Sequence, residues 1–363
     1  MSAESIFAPK FDHLVYIRVF EGCNLHCLHC FIPSNPKRMT FVQIEEAGEH
    51  INRLAKSGQK VLIQWHGGEP TLLGVEYLSK SIDILSKTVR ADVELLHGIQ
   101  TNLMTYNRDW SQLYHTHFNS SIGVSWDPVI RLLPGAKLES NVQYEARFWN
   151  NWDRMLSDGI KPYLVMTATR QFFDSYPNPI HLLNELSQRG VKHGHIERLT
   201  QTGYADKNWD YIGVDNLYYS KKMASLLTAY LAWNKDRSQG DKLYLSPFDG
   251  LLASVDTLKD QNKVGYGCWS GKCDSRFHTI DAEGYKFGCT ALTSGPEGGS
   301  SLSPKVLESR RFERRAALCH SCEYRVICSS GCLALSYVDD SGECSGSKTL
   351  FNRAEMLLRI RNG

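Results

Sequence analysis

The chain has 363 residues, of which 42% are hydrophobic and 22% are charged, and its formal net charge is +2. This composition is typical of a globular protein with one large or two smaller domains, and the small charge argues against nucleic acid or an anionic membrane as partner. No apolar run approaches the roughly 18 residues of a membrane span, and the first residues lack a secretory signal. We therefore expect a cytoplasmic protein.

Strand and helix patterns alternate six times between residues 13 and 233. Short β-branched and aromatic runs predict strands at 13–20, 61–65, 93–100, 122–126, 162–169 and 193–199. Apolar spacing and stop signals predict helices at 41–55, 74–89, 110–117, 143–156, 179–188 and 216–233. Nearly continuous apolar strands that alternate with helices favour an α/β fold, a parallel sheet that curls into a partial (β/α)6 TIM-type barrel.

Polar and glycine-rich stretches follow the first four predicted strands. They are GCNLHCLHCF at 22–31, HGGEP at 66–70, Thr101-Asn102, and Ser125-Trp126-Asp127. In barrels of parallel strands, the loops after the strands meet at one end, which is where chemistry takes place. The sequence therefore predicts an active site built from these four stretches.

The cysteines divide the chain into two parts. Of eleven cysteines, three lie at 23–30 and eight lie between 268 and 344. Clustered thiols in a reducing compartment are metal ligands or catalytic groups more often than disulfides. We predict a barrel domain at 1–238 and a cysteine-rich domain at 239–363, which contains a β-hairpin at 277–289 and a flexible loop at 294–303.

The first cysteine cluster has the spacing Cys-x3-Cys-x2-Cys, at Cys23, Cys27 and Cys30. Thiolates on short loops of this kind hold iron–sulfur clusters. A zinc site with three cysteines and one histidine remains the alternative, because His26 and His29 lie in the same loop. The spacing favours an iron–sulfur cluster.

GCNLHCLHCF resembles the signature loop of the radical SAM superfamily. In that family three cysteines bind three irons of a [4Fe–4S] cluster, and the fourth iron binds S-adenosylmethionine (SAM). One electron cleaves SAM to a 5'-deoxyadenosyl radical, which abstracts a hydrogen atom from the substrate. The resemblance implies that Cys23, Cys27 and Cys30 are metal ligands. The loop departs from the family pattern at His29, where an aromatic residue is usual, and Phe31 follows the third cysteine instead.

Three further stretches fit the same resemblance. HGGEP is similar to the family's GGEP motif, whose backbone and glutamate hold the methionyl amino group. Ser125 matches a polar position on strand four that faces SAM, although an ordinary strand serine is an equally good interpretation. The cofactor-binding residues that the resemblance implies are Gln64, Gly67, Gly68, Glu69, Pro70, Asn102 and Ser125.

The cysteine-rich tail resembles the SPASM domain of radical SAM enzymes, which carries two auxiliary [4Fe–4S] clusters. The family's interleaved pattern implies two ligand sets, Cys268, Cys273, Cys289 and Cys332 for the first and Cys319, Cys322, Cys328 and Cys344 for the second. Together with the first loop, these sets use every cysteine in the chain. Zinc sites are the alternative.

Enzymes of the SPASM type modify peptides and proteins, and two groups resemble this chain. One group joins residues of a ribosomal precursor peptide through a C–C (cyclophane), ether or thioether bond. The other, the anaerobic sulfatase-maturating enzymes, oxidises cysteine or serine to formylglycine with an aspartate base directly after the hairpin cysteine. Here Thr290 follows Cys289, so we favour a peptide-crosslinking maturase. An iron–sulfur electron-transfer or scaffold protein is the alternative from another class.

The expected partners follow from this interpretation. They are the precursor peptide and an external electron donor of the flavodoxin or ferredoxin type. The short segments outside the motifs leave no room for a fused recognition domain, so we expect either a separate peptide-recognition protein or direct binding by the barrel.

The sequence does not identify a catalytic base. His193, His195 and Glu197 alternate on the sixth strand and share one face. Half-exposed strand residues are the commoner explanation for such a set, and substrate contact is the alternative. Three charged residues after strand four are expected at the surface, with contact to SAM or the peptide as the alternative: Asp127, Arg131 and Arg147.

Overall fold

The computed structural model describes residues 11–32, 35–118, 122–135, 137–260, 263–272, 275–293 and 304–362. Its strands are β1 His13–Phe20, β2 His26–Cys27, β3 Lys60–Gly67, β4 Glu94–Thr101, β5 Ile122–Ser125, β6 Arg131–Leu132, β7 Tyr163–Ala168, β8 His193–Arg198, β9 Tyr244–Ser246, β10 Phe277–Asp281 and β11 Gly284–Phe287. Its α-helices are α1 Phe41–Leu54, α2 Val75–Thr88, α3 Arg108–His117, α4 Ser140–Ser157, α5 Arg170–Ser175, α6 Pro179–Gln188, α7 Tyr204–Lys207, α8 Trp209–Ile212, α9 Asn216–Asn234, α10 Phe248–Asp256, α11 Pro304–Arg314 and α12 Lys348–Asn362. Four short 3-10 helices lie among them, at Pro70–Leu73, Thr257–Lys259, Gly267–Ser270 and Glu323–Val326, and a π-helical turn spans Arg315–Cys319.

Within these residues, nine strands form one sheet in the order β11-β10-β1-β3-β4-β5-β7-β8-β9. Neighbouring strands from β10 to β9 pair in parallel, and β11 pairs antiparallel with β10. All six predicted strands are present, so the prediction of a mostly parallel α/β barrel fold is confirmed. The strands at the two edges of the sheet were not predicted to lie there. The short strand β9 extends the sheet at one edge, and the hairpin β10–β11 extends it at the other.

The strands of the barrel alternate between two faces. Val15 and Ile17 of β1, like Ile63 and Trp65 of β3, are fully buried under the helices and form the main core. The opposite face, which we call the barrel interior, carries polar side chains instead, namely Tyr16, Arg18, Gln64, His66, Gln100, Ser125, Tyr163, His195 and Glu197. A parallel sheet buries its apolar side under helices, so this polar interior is the surface left for ligands.

Side-chain caps fix where several helices begin. Thr40 and Gln43 form a capping box at α1, in which each side chain bonds the other residue's backbone. Asn107, Thr169 and Asp215 each accept a hydrogen bond from a backbone N–H in the first turn of the next helix. Each of these helices therefore begins at a defined residue, which sets the length of the preceding loop.

The tail packs onto the barrel through its last helix. Helix α12 contacts α9 and α10, and Phe351 stacks on Tyr324 with ring centroids 5.0 Å apart. The predicted domain division at residues 238 and 239 stays a prediction. Strands on both sides of this division belong to one sheet. The predicted loop at 294–303 lies outside the described residues. None of the described helices is apolar over a sufficient length to cross a membrane.

Candidate active site

The first cysteine loop is fastened to the barrel at both sides. Cys27 lies in β2 and pairs with Arg131 of β6, which follows the fourth barrel strand β5. On the other side, the backbone N–H of Glu69 donates to the carbonyl of Gly22 at 3.0 Å. The loop therefore has a fixed place at the C-terminal end of the barrel.

The three thiols of this loop are electrostatic neighbours of one another, with Cys27 buried and Cys23 and Cys30 half-buried. Burial, together with the negative charge of the neighbouring sulfurs, raises the pKa of Cys23 and of Cys27 to about 12 and that of Cys30 to about 11. Ionising them together requires positive charge close by, which iron supplies when it binds thiolates. Within the described residues, no three His, Cys, Asp or Glu side chains converge on a single ion. In an iron–sulfur cluster each thiolate binds a separate iron.

The glycines of HGGEP allow this segment to lie directly on the cysteine loop. A Cβ atom on Gly67 would lie 2.0 Å from the carbonyl oxygen of Phe20, and one on Gly68 would lie 2.4 Å from that of Gly22. Gly67 also has a φ of 139°, which side chains rarely permit. Glycine is therefore required at both positions by the backbone packing alone.

The carboxylate of Glu69 is buried and joins two segments of the chain. One oxygen accepts from the Thr71 backbone N–H at 3.1 Å, from the Thr71 hydroxyl at 2.6 Å and from the Thr101 hydroxyl at 2.9 Å. The other oxygen accepts from the backbone N–H of Asn102 at 2.7 Å. Burial raises the pKa of Glu69, and these hydrogen bonds oppose the rise. The carboxylate thus holds HGGEP against the end of β4. Its predicted contact with the SAM amino group stays a prediction.

Asn102 connects the end of β4 to the cysteine loop. Its side-chain amide donates to the Asn24 side-chain oxygen at 2.7 Å and lies 3.8 Å from the Cys23 sulfur. Its side-chain oxygen accepts from the Met104 backbone at 3.0 Å. The structure therefore brings three of the four predicted stretches together at one point.

The remaining predicted SAM contacts lie in the barrel interior. Ser125 accepts a hydrogen bond from Gln100 at 2.7 Å, and Gln64 lies beside His66 on the same face of β3. The ring of His66 meets Tyr16 edge-on, with centroids 5.7 Å apart. Gln64 of β3 and Ser125 of β5 thus lie on the same face of the sheet, toward the barrel interior.

The tail cysteines fall into two neighbourhoods. The thiol of Cys328 has Cys344, Cys319 and Cys322 as its electrostatic neighbours, and these are the four residues of the second predicted set. The hydroxyl of Tyr337 lies 2.9 Å from the Cys319 sulfur. The interleaved assignment therefore has a spatial counterpart for this set.

The first auxiliary set lies at the edge of the barrel interior. Tyr219 has Cys268 and Cys332 as electrostatic neighbours, and Tyr16 has Cys289 and Cys268. Cys273, the fourth member of the predicted set, lies outside the described residues. Three members of this set therefore lie near Tyr16 of β1 and Tyr219 of α9.

Thr290, which follows the hairpin cysteine, is bound by a buried arginine. Arg18 of β1 donates from Nε to the Thr290 hydroxyl at 3.1 Å and from Nη2 to the Thr290 carbonyl at 2.9 Å and the Thr293 hydroxyl at 3.0 Å. Arg18 is 3% exposed. The position after Cys289 thus holds a neutral side chain beside a cation. The arginine within an otherwise apolar strand was the sequence signal for this contact.

The expectation that Asp127 and Arg131 are surface charges is wrong. Asp127 is fully buried and Arg131 is 7% exposed, because each neutralises the other at 2.7 Å. His29, the unusual residue of the cysteine loop, places Nε2 at 3.5 Å from the same carboxylate. Burial holds the pKa of His29 well below its usual value, so its ring is neutral. Arg147 is exposed, as expected.

His195 and Glu197 form a pair in the barrel interior. Their side chains lie 2.9 Å apart, and the Glu197 side chain is half-exposed. Desolvation by the surrounding protein raises the pKa of Glu197, but the histidine holds it below its usual value. Glu197 is an electrostatic neighbour of Tyr16, Tyr219 and Cys332. The pair thus lies between the barrel cavity and the first auxiliary cysteine set.

Comparison with known proteins agrees with this geometry. The sequence model of the radical SAM superfamily matches residues 17–127. A serine-type anaerobic sulfatase-maturating enzyme of Klebsiella aerogenes is 20% identical over 367 residues, which cover 95% of this chain and 85% of that enzyme. A cysteine-type enzyme of Clostridium novyi is 29% identical over 127 residues, and this match spans only 33% of this chain and 34% of the relative.

Solved structures show the same fold over most of the chain. Native anSMEcpe with bound AdoMet and Cp18Cys peptide superposes with a TM-score of 0.70 at 17% identity and covers 96% of this chain and 98% of its own. Streptococcus suis SuiB superposes with a TM-score of 0.55 at 17% identity, over 89% of this chain and 73% of SuiB. Residues 17–127 of the chain therefore match the radical SAM superfamily, and the chain shares its fold with anSMEcpe and SuiB.

Proposed function

We propose that this protein is a radical SAM peptide maturase that forms an intramolecular C–C, ether or thioether cross-link in a ribosomal precursor peptide. The observation that carries this choice over sulfatase maturation is Thr290. Where the resemblance implies an aspartate base in sulfatase-maturating enzymes, this chain has a neutral hydroxyl that is hydrogen-bonded to buried Arg18.

The cofactor site is assigned to the residues around the first cysteine loop. Cys23, Cys27 and Cys30 are the proposed ligands of a [4Fe–4S] cluster whose open iron binds SAM. The donor set supports this, and so does the buried Nδ1 atom of His29, which has no hydrogen-bond partner among the described residues. When bound and reduced, the cluster and SAM supply the radical that removes a hydrogen atom from the peptide. The proposed SAM contacts are Gln64, Gly67, Gly68, Glu69, Pro70, Asn102 and Ser125.

The two tail sets are the proposed ligands of auxiliary [4Fe–4S] clusters. Cys268, Cys273, Cys289 and Cys332 are assigned to the first, and Cys319, Cys322, Cys328 and Cys344 to the second. The electrostatic neighbours of Cys328 support the second set, and the position of three members around Tyr16 and Tyr219 supports the first. Both sets are complete, so these clusters fit the transfer of an electron better than the binding of substrate.

Cross-link formation also releases a proton, and Glu197 is the candidate acceptor. Its carboxylate faces the barrel interior on β8 and is held by His195 at 2.9 Å. The neighbouring histidine holds the pKa of Glu197 below its usual value, so the carboxylate is in its ionised form. The pair also lies next to the first auxiliary set, where the accompanying electron would leave the peptide.

Replacement of Glu197 by Gln is expected to lower the yield of cross-linked peptide about 100-fold, because a positioned general base contributes on that order. Formation of 5'-deoxyadenosine is expected to continue, since radical generation does not require this carboxylate. Mass spectrometry of the peptide and chromatography of 5'-deoxyadenosine in one reaction measure both effects. Glu94→Gln, at an exposed site on β4, is the matched control. Equal product yields from both variants would remove Glu197 from the mechanism.

Sulfatase maturation is the second candidate, and the comparisons favour it in one respect. The relatives and the structure with the higher TM-score are sulfatase-maturating enzymes. The two functions differ in their products, because formylglycine is an aldehyde and a cross-link is not. Reduced enzyme is incubated with SAM and with either a precursor peptide encoded beside the gene or a sulfatase-derived peptide. A hydrazide-reactive product from the sulfatase peptide alone would overturn the proposal.

An iron–sulfur carrier or scaffold is the candidate from another class, and one assay separates it. Anaerobic protein loaded with clusters is incubated with SAM and dithionite. We expect 5'-deoxyadenosine, and a cluster-replete sample that forms none would contradict an enzymatic role.

The proposed partners are the precursor peptide and an electron donor of the flavodoxin or ferredoxin type. The peptide is either presented by a separate recognition protein or bound directly in the barrel. A cytoplasmic location is proposed with it, because clusters with open iron require a reducing compartment.

A further inference from the structure

Arg131 lies directly opposite Cys27 in a small antiparallel pairing. Strands β2 and β6 pair His26 with Leu132 and Cys27 with Arg131. From this position the Nη1 atom of the guanidinium donates toward the Cys27 sulfur at 3.7 Å. The contact joins residues 104 positions apart, so it arises only from the fold.

The guanidinium is fixed in this direction by Asp127. Nε donates to Asp127 Oδ2 at 2.8 Å, and Nη2 approaches the same oxygen at 2.7 Å. The other carboxylate oxygen accepts the backbone N–H of Thr167. Asn141 donates to the carbonyl of Arg131 at 3.2 Å. Side chain and backbone are therefore both held, and Nη1 is the nitrogen that points at the cysteine loop.

A buried cation at this distance stabilises negative charge on the Cys27 thiolate and on a cluster bound to it. Nη1 of Arg131 donates toward the Cys27 sulfur, so its positive charge lies beside any negative charge on that atom. Adding an electron to a thiolate-bound cluster adds negative charge to the same atoms. Hydrogen bonds to the sulfurs and nearby charge set the reduction potential of such clusters. A donor cation therefore favours the reduced state.

We propose that Arg131, oriented by Asp127, is a positioning residue that donates a hydrogen bond to the Cys27 thiolate and raises the reduction potential of the SAM-binding cluster. This inference rests on the proposed ligation of that cluster by Cys23, Cys27 and Cys30. It goes further by assigning a tuning role to a residue outside the cysteine loop.

The test measures the potential of the cluster in Arg131→Met. The protein is loaded with iron and sulfide and titrated with dithionite without SAM. The reduced cluster is followed by EPR, and a portion of each sample receives SAM so that the responsive signal identifies this cluster. We expect the equilibrium constant for reduction to fall about tenfold, which for a one-electron couple is a shift of about 59 mV to a more negative potential.

Three further variants make the result specific. Arg131→Lys keeps the positive charge but lacks the planar guanidinium, and Asp127→Asn removes the ion pair that orients it. Each is expected to make the potential more negative, by a smaller amount than Arg131→Met. Arg147→Met, which removes an exposed arginine on α4, is expected to leave it unchanged. If Arg131→Met does not retain iron, the reduction potential is measured in Arg131→Gln instead.

Two different failures have different meanings. An unchanged potential in an Arg131 variant that retains its iron and its SAM-responsive signal would overturn the inference and leave the proposed function standing. Absence of any SAM-responsive signal in the unmodified protein would instead overturn the proposed function.

Discussion

Replacement of Cys23, Cys27 or Cys30 by alanine is expected to abolish formation of 5'-deoxyadenosine. The loop supplies three proposed ligands and every other cysteine is assigned to a proposed set of four, so we expect no spare thiol to replace a lost ligand. A cluster with one ligand fewer has no defined open iron to hold the SAM amino and carboxylate groups. The loss is therefore expected to be complete rather than partial.

Iron content gives this prediction a second measurement. Three four-iron clusters amount to about 12 irons per chain in the unmodified protein, and loss of one cluster leaves about 8. The triple variant Cys23→Ala, Cys27→Ala, Cys30→Ala is expected to retain the latter number with unchanged auxiliary signals. Cys328→Ala is the reciprocal variant and is expected to lower iron while leaving the SAM-responsive signal. A value near four irons in unmodified protein would contradict the auxiliary assignment.

Replacement of Glu69 by Ala is expected to destabilise the fold by about 3–5 kcal/mol. The carboxylate accepts four hydrogen bonds from Thr71, Thr101 and Asn102 in a site that is 1% exposed. Removing it leaves buried donors without an acceptor, at about 1–3 kcal/mol each before the neighbours relax. Urea unfolding under anaerobic conditions measures the loss in free energy.

The same substitution is expected to weaken SAM binding at least about tenfold, since HGGEP and the end of β4 then lose their common anchor. Isothermal titration calorimetry on cluster-loaded protein measures the affinity. Glu76→Ala, at an exposed site in the first turn of α2, is the control and is expected to cost less than about 1 kcal/mol. A Glu69→Ala protein as stable as its parent would show that the four hydrogen bonds contribute nothing.

Local sequence patterns predicted the strands and helices of the barrel and the four stretches that meet at its end. They did so because periodicity and turn residues act over a few positions. The pattern also located the hairpin at 277–289, which the structure forms as β10 and β11. It did not show where the hairpin lies, because parallel pairing of Leu14 with Phe277 joins residues with no local relation.

The charged residues after β5 show the limit of this reasoning most clearly. Asp127 and Arg131 are four residues apart and would suit a solvated turn. Their burial follows from the pairing of β2 with β6, which brings Arg131 to Cys27 and His29 to Asp127. Such a site depends on contacts between residues about a hundred positions apart. The local sequence after β5 therefore does not predict it. Glu197 was visible on its strand, but its cysteine neighbours come from the tail.

The pairing of β10 with β1 has a consequence for protein engineering. The hairpin that carries the chain to Cys289 completes the hydrogen bonding of the strand that leads into the first cysteine loop. A tail taken from another enzyme would have to reproduce this edge-to-edge register, from Leu14 opposite Phe277 to Ile17 opposite Ile280. A truncated barrel would expose the β1 edge as a template for aggregation. An engineered exchange of tails therefore changes a pairing inside the sheet. The residues of β1 have to be redesigned together with the hairpin that pairs with them.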